Sequence, residues 1–218
     1  MPSPLLEETI GQMLRDVKCT VAVAESCTGG LVSSRLTDVE GASDFVTLVR
    51  AVAMICALRS DRSSRTVALT SPLTAAPTTP LPSVPTAPPQ NVVTYSALEK
   101  ISVLGVTQET VDRYSVTSAE CAVEMLQGLR SLTNADFCLS LTGLAGPGGG
   151  TAAKPVGLVF IGLYTPRHGC QVFRVQEPPR LTREELKREF SQRALELLRL
   201  ALCEVANGAG KHVASSRL

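Results

Sequence analysis

Two apolar runs, Thr20–Ala24 (TVAVA) and Asp136–Thr142 (DFCLSLT), each end in a turn built on glycine. ESCTGG follows the first and GLAGPGGG follows the second. Short β-branched and apolar runs of this kind read as buried strands, and glycine lets the chain reverse tightly at a strand end. Helical spacing surrounds them. Leu5, Leu6, Ile10, Met13, Leu14 and Val17 predict a helix from about Pro4 to Val17, and Leu31–Leu36 opens a second that ends near Gly41. Asn91–Tyr95 (NVVTY) reads as a strand, followed by a short helix through Lys100 and Ile101. Thr117-Ser118-Ala119-Glu120 reads as a capping box opening a helix to about Leu132. Val156–Tyr164 and Cys170–Gln176 form a strand pair around Pro166–Gly169, and a second box, Thr182–Glu185, opens a last helix to about Ala206. Strands alternating with helices give an α/β layered fold, and the closing strand pair makes its sheet mixed rather than purely parallel.

Residues 49–90 break this pattern. Seven of the 14 prolines fall between Pro72 and Pro89, where the sequence has neither a helical nor a strand period. Repeated proline removes backbone donors and forbids helix, so a disordered, polyproline-like insertion is expected. It is a docking arm for an aromatic-lined groove, an inert interruption, or a retained intron that does not belong in the mature protein. The remainder reads as one domain over residues 1–207, with 208–218 as a flexible tail. Lys and Arg number 21 against 20 Asp and Glu, a formal charge of +1, and aromatics are 4%. That balance speaks against a nucleic-acid partner. The seven cysteines form no CxxC pair, which argues against a disulfide framework or zinc site and for a reducing compartment. No basic-then-apolar leader opens the chain and no apolar run is long enough to span a bilayer, so a cytoplasmic protein without membrane attachment is expected. The terminal Ser216-Arg217-Leu218 offers a peroxisomal address as the alternative.

Three segments can carry chemistry. In ESCTGG, Ser26, Cys27 and Thr28 are three candidate nucleophiles in a row, and Gly29 and Gly30 precede a helix whose N–H groups suit an oxyanion or a phosphate. In the second turn, Thr142, Gly143, Gly146, Gly148, Gly149, Gly150 and Thr151 belong to a stretch with five glycines in eight residues. It is neither a Walker A loop nor a dinucleotide fingerprint, but such a stretch can form a nest of N–H groups around an anion. In TYSALEK, Lys100 lies one turn into the helix that Ser96 would start, and a desolvated lysine can act as a base. The two histidines, His168 and His212, lie in a hairpin turn and the tail. A Ser-His-Asp triad or a histidine metal site is therefore unsupported, and Lys100, helped by the Tyr95 phenol, is the base left for Ser26.

AESCTGG (Ala24–Gly30), VVTYSALEK (Val92–Lys100), TGLAGPGGGTAAKPVG (Thr142–Gly157) and TREELKREFSQRALELL (Thr182–Leu198) together resemble the C-terminal domain of the CinA family, the nicotinamide-nucleotide amidohydrolases, in its stand-alone form. The resemblance implies a three-layer α/β/α sandwich and hydrolysis of nicotinamide mononucleotide to nicotinic acid mononucleotide and ammonia. It implies Ser26 as nucleophile with Tyr95 and Lys100 completing the site, and the Gly143–Thr151 loop lining a nucleotide pocket. It implies no metal or cofactor, and a homodimer or larger homo-oligomer. Residues 49–90 lengthen the link between the Ser26 and Lys100 segments, and Asn91 stands where the family has glycine. A strand misregistered there would carry Lys100 away from Ser26, which leaves a non-catalytic nucleotide-binding module as the alternative function.

Overall fold

The structure, a computed structural model, describes residues 4–46 and 91–214. The predicted proline-rich insertion and the C-terminal Ser-Arg-Leu lie outside the described residues. In chain order the elements are α1 (Leu6–Val17), β1 (Val21–Glu25), α2 (Leu31–Thr37), a 3₁₀ turn (Ala42–Asp44) and β2 (Asn91–Val93). These are followed by α3 (Ala97–Leu104), α4 (Gln108–Tyr114), α5 (Ala119–Thr133), β3 (Phe137–Gly143), β4 (Leu158–Thr165), β5 (Gly169–Gln176) and α6 (Arg183–Ala214).

The strands form one sheet in the order β2-β1-β3-β4-β5. β2, β1 and β3 run parallel, whereas β4 and β5 are antiparallel, so the sheet is mixed as expected. Side-chain alternation along β1 divides the core between the two faces. Val21 and Val23 join Ile10, Leu14, Leu36, Leu186, Phe190 and Leu195 on the face covered by α1, α2 and α6. Ala22 and Ala24 face the other way, where their small side chains let Met125, Leu126 and Leu129 of α5 approach the sheet beside Leu104 of α3. This is a three-layer α/β/α sandwich. Among the described residues no helix is long and apolar enough to cross a membrane.

The edge of the sheet carries the chain discontinuity. Val46 forms a parallel bridge with Val21, and Asn91 pairs with Val23, two residues further along β1. At about 3.3 Å per strand residue, that spacing leaves room for one residue between Val46 and Asn91. The Asn91 side-chain carbonyl accepts the Val23 N–H at 2.8 Å, where a preceding strand residue would normally place its backbone carbonyl. The strand is therefore in register, and β2 hands Thr94 to a further backbone bond with Glu25 O.

Several local readings change, α2 ending at Thr37 rather than near Gly41 and β2 at Val93 rather than Tyr95. The cap of α5 is Ser118, whose hydroxyl accepts from Cys121 N, so Thr117 stands one place outside the helix and is released from capping. α4 is a helix that apolar periodicity does not reveal, being seven residues long and started by the Thr107 hydroxyl accepting from Thr110 N. α6 continues to Ala214, past its expected end near Ala206, because Gly208 and Gly210 weaken a helix by only about 1 kcal/mol each and do not stop it.

Candidate active site

β1 lies between β2 and β3, so the connections leaving it diverge and open a crevice at the carboxyl ends of β1 and β3. Ligands on open α/β sheets bind at such a point. Ser26 follows the end of β1, and Thr142 and Gly143 end β3. Gly143 is needed for this closeness, since a Cβ there would lie 2.6 Å from the Leu158 carbonyl oxygen across the ladder.

Lys100 reaches the same point from α3. Ser96 caps that helix by accepting from Glu99 N, and Glu99 returns a bond to the Ser96 N–H, a capping box that fixes where α3 begins. Lys100 is fully buried, with Nζ 2.9 Å from Ser26 Oγ, 2.6 Å from Thr94 O and 3.5 Å from Tyr95 O. Burial of the amine pushes its pKa below the ordinary lysine value, with Cys121, Cys27 and Glu99 opposing.

Cys27, the neighbouring candidate nucleophile, is 5% exposed, and burial pushes its thiol up to about 12. A thiol that stays protonated is a poor nucleophile, so the geometry and the acidity both favour Ser26. Thr28 is fully buried, and its hydroxyl has no hydrogen-bond partner among the described residues.

A cavity of about 190 Å³ opens beside Ser26 and Cys27. Tyr95 and Arg183 line it, as do Val116 and Thr117 before α5, Thr142, and the glycine loop at Gly143, Gly146 and Gly148. Gly149, Gly150 and Thr151 lie further along the same loop and do not line the cavity. Nor do Thr28, Gly29 and Gly30. Gly29 N–H donates to Ser26 O, and Gly30 N–H donates to the Glu25 carboxylate. Glu25 also accepts from Val32 N, Ser33 N and the Ser33 hydroxyl, so the chain's own buried carboxylate occupies the start of α2. The expected anion site at that helix N-terminus is thus already filled. The positive φ of Gly29 (64°) and Gly30 (94°) serves the turn that brings α2 onto Glu25.

Tyr95 is brought to the cavity mouth, 61% exposed, and its phenol does not bond Ser26 or Lys100. Instead Arg183 donates to the Tyr95 hydroxyl and, 2.7 Å away, to the Gly146 carbonyl. Arg183 was hidden in the sequence inside the Thr182–Glu185 capping box. That box does form, with Glu185 accepting from both Thr182 N and its hydroxyl, and it fixes the first turn of α6. Thr142 donates to Val116 O at 2.6 Å, tying the end of β3 to the opposite wall.

The family model of the CinA C-terminal domain matches residues 4–53 and 49–202. A CinA-like protein of Thermotoga neapolitana is 34% identical over 199 residues, covering 91% of this chain and 38% of its own length. A CinA-like protein of Desulforapulum autotrophicum is 37% identical over 161 residues, covering 74% of this chain and 28% of its own. The chain thus spans well under half the length of these relatives. Among solved structures, the competence/damage-inducible protein of Agrobacterium tumefaciens superposes with a TM-score of 0.62 at 26% identity, covering 95% of this chain and 98% of that one. A CinA superfamily protein of Klebsiella pneumoniae gives a TM-score of 0.68 at 23% identity, covering 91% and 96%, and shares the fold. On the family match, the relatives' identity and the sandwich that carries the ESCTGG and glycine-loop motifs, the chain belongs to the CinA C-terminal domain family.

Proposed function

We propose that this chain is an amidohydrolase that converts nicotinamide mononucleotide and water to nicotinic acid mononucleotide and ammonia, with Ser26 as nucleophile and Lys100 as base. The observation that carries this reading is the 2.9 Å contact between buried Lys100 Nζ and Ser26 Oγ beside a cavity. A neutral Lys100 amine keeps its two N–H groups on Thr94 O and Tyr95 O, and its lone pair then faces Ser26 Oγ. The Ser26 proton passes to Nζ as Oγ bonds the carboxamide carbon. When the C–N bond breaks, the Lys100 ammonium protonates the departing nitrogen and ammonia leaves. Lys100 next takes a proton from water, which attacks the Ser26 ester. The ester C–O bond breaks, and the proton returns to Oγ.

The developing oxyanion needs N–H donors in place. Those of Gly29 and Gly30 are committed, whereas cavity-lining Cys27, Ala145, Gly146 and Gly148 have N–H groups without a backbone partner among the described residues. Arg183 supplies the cation for the phosphate, beside Gly146 and Gly148. Nucleophile, base and donors all belong to the chain, so the reading requires no cofactor. The six described cysteines are unpaired thiols, which supports a reducing compartment such as the cytoplasm.

Ammonia release from nicotinamide mononucleotide tests the reading. Ser26→Ala and Lys100→Met should each lower kcat by ~10²-fold or more, the scale of a lost nucleophile or acid–base group. Full release by both variants overturns the assignment. Tight nucleotide binding without turnover by the native chain supports the non-catalytic module instead.

A further inference from the structure

We infer that Lys154 is a positioning residue that clamps the two walls of the cavity and so sets the affinity for the nucleotide. The identity of that nucleotide rests on the amidohydrolase reading, whereas the clamp itself rests on contacts. One wall is the glycine loop, which lines the cavity from Gly143 to Gly148. A loop so rich in glycine loses much conformational entropy when ordered, so its position depends on its tethers. At its root, Leu144 N donates to Leu158 O, and Gly157 N donates to Leu144 O. At the mouth, Arg183 holds Gly146 O. The outer arm closes in a turn, with Thr151 N donating to Lys154 O and Lys154 N donating to the Thr151 hydroxyl.

That turn aims the Lys154 side chain across to the second wall. Nζ donates to Tyr114 O and to Ser115 Oγ, both at 2.5 Å. Tyr114 ends α4, where backbone carbonyls lack helical partners and a cation is favoured. Ser115 takes a left-handed φ of 69°, and its own carbonyl accepts from the Ser118 hydroxyl at 2.9 Å. Val116 is held by Thr142 through its carbonyl. The bend is thus fixed on each side of Thr117. Thr117 is 5% exposed and lines the cavity, and its hydroxyl makes no hydrogen bond among the described residues. Several ties converge on a bend whose Thr117 faces the cavity. Lys154 is the tie that fixes the distance from this bend to the outer arm of the loop.

The test compares Lys154→Met and Lys154→Arg with the native chain. It reads kcat and KM for ammonia release from nicotinamide mononucleotide, and calorimetric affinity for the same nucleotide. Lys154→Met is expected to raise KM and weaken affinity ~10-fold, with kcat held within about 3-fold, because lost preorganisation is a binding cost. Lys154→Arg should recover most of the affinity, since its guanidinium can donate to both acceptors. A kcat loss with unchanged KM, or unchanged affinity in Lys154→Met, overturns the clamp. If Lys154→Met fails to fold, Ser115→Ala removes one of the two acceptors. A KM rise of about 3-fold then supports the clamp, and no rise overturns it. A native chain that binds the nucleotide but releases no ammonia refutes the amidohydrolase reading alone, and the affinities still decide on Lys154. No nucleotide binding at all refutes both.

Discussion

The buried Lys100 amine beside Ser26 dictates how the site responds to pH. In the proposed reaction its neutral form is the base, and burial favours that form at lower pH than in a free lysine. The kcat/KM for ammonia release should therefore rise with pH and level off below the ordinary lysine value of about 10.4. A profile that still climbs through 10.4 refutes this role. The same shift ties stability to pH. Between the lowered value and about 10.4 the unfolded chain binds the extra proton, so stability should rise with pH across that window. Lys100→Met should remove the rise in urea titrations at several pH values. Cys27 behaves in the opposite sense, its thiol held protonated up to about 12. Cys27→Ser is accordingly expected to keep kcat within about 3-fold where Ser26→Ala lowers it by ~10²-fold or more, because the thiolate is the reactive form of cysteine. The pairing of Ser26 with Lys100 was legible in the sequence, because the two histidines stood elsewhere and Lys100 lay one turn into the helix that Ser96 would start. The bonding of the Tyr95 phenol was not. It depends on Arg183, 88 residues away, reaching across the cavity mouth.

At the level of elements, the helices behind the sheet set where these side chains arrive. α3 carries Lys100 and packs on α5 without a spacer. A Cβ on Gly128 would fall 1.8 Å from the Leu104 carbonyl oxygen and 2.6 Å from its carbon. Since the obstacle is backbone, Gly128→Ala must push α3 away, destabilising the protein by about 3 kcal/mol. Thermal melts should report that loss, and ammonia release should fall with it because Lys100 moves with the helix. Wild-type activity and melting temperature would refute this coupling. The start of α2 shows why local pattern misleads here. ESCTGG reads as a helix N-terminus open to an anion, yet Glu25 folds back from the strand and fills it through four donors. The carboxylate was visible in the sequence, but which donors it would meet follows from the angle between β1 and α2. Capping chemistry was legible at Thr182 and blurred at Thr117-Ser118, where two adjacent hydroxyls compete for one helix start and packing decides.

For the whole molecule, the sheet edge is the decisive feature. Val46 and Asn91 sit against Val21 and Val23, so Thr47 alone suffices to join them in one parallel strand. A chain lacking residues 48–90 should fold to the same sandwich with a higher melting temperature, because a shorter connection costs less closure entropy. It should also keep the Ser26–Lys100 pair, which differential scanning calorimetry and ammonia release can check together. Loss of folding or of turnover would show that the segment does more than join two ladder positions. The composition of residues 49–90 marked them as foreign to the α/β pattern, but only the ladder reveals that the strand on either side keeps its register. The proposed nucleophile and base, Ser26 and Lys100, lie on opposite sides of that junction, separated by 74 positions. Neither fragment, 4–46 or 91–214, holds a working pair. Supplied as separate chains, they would regain turnover only by zipping together along β1, and recovered ammonia release would then meter their reassembly.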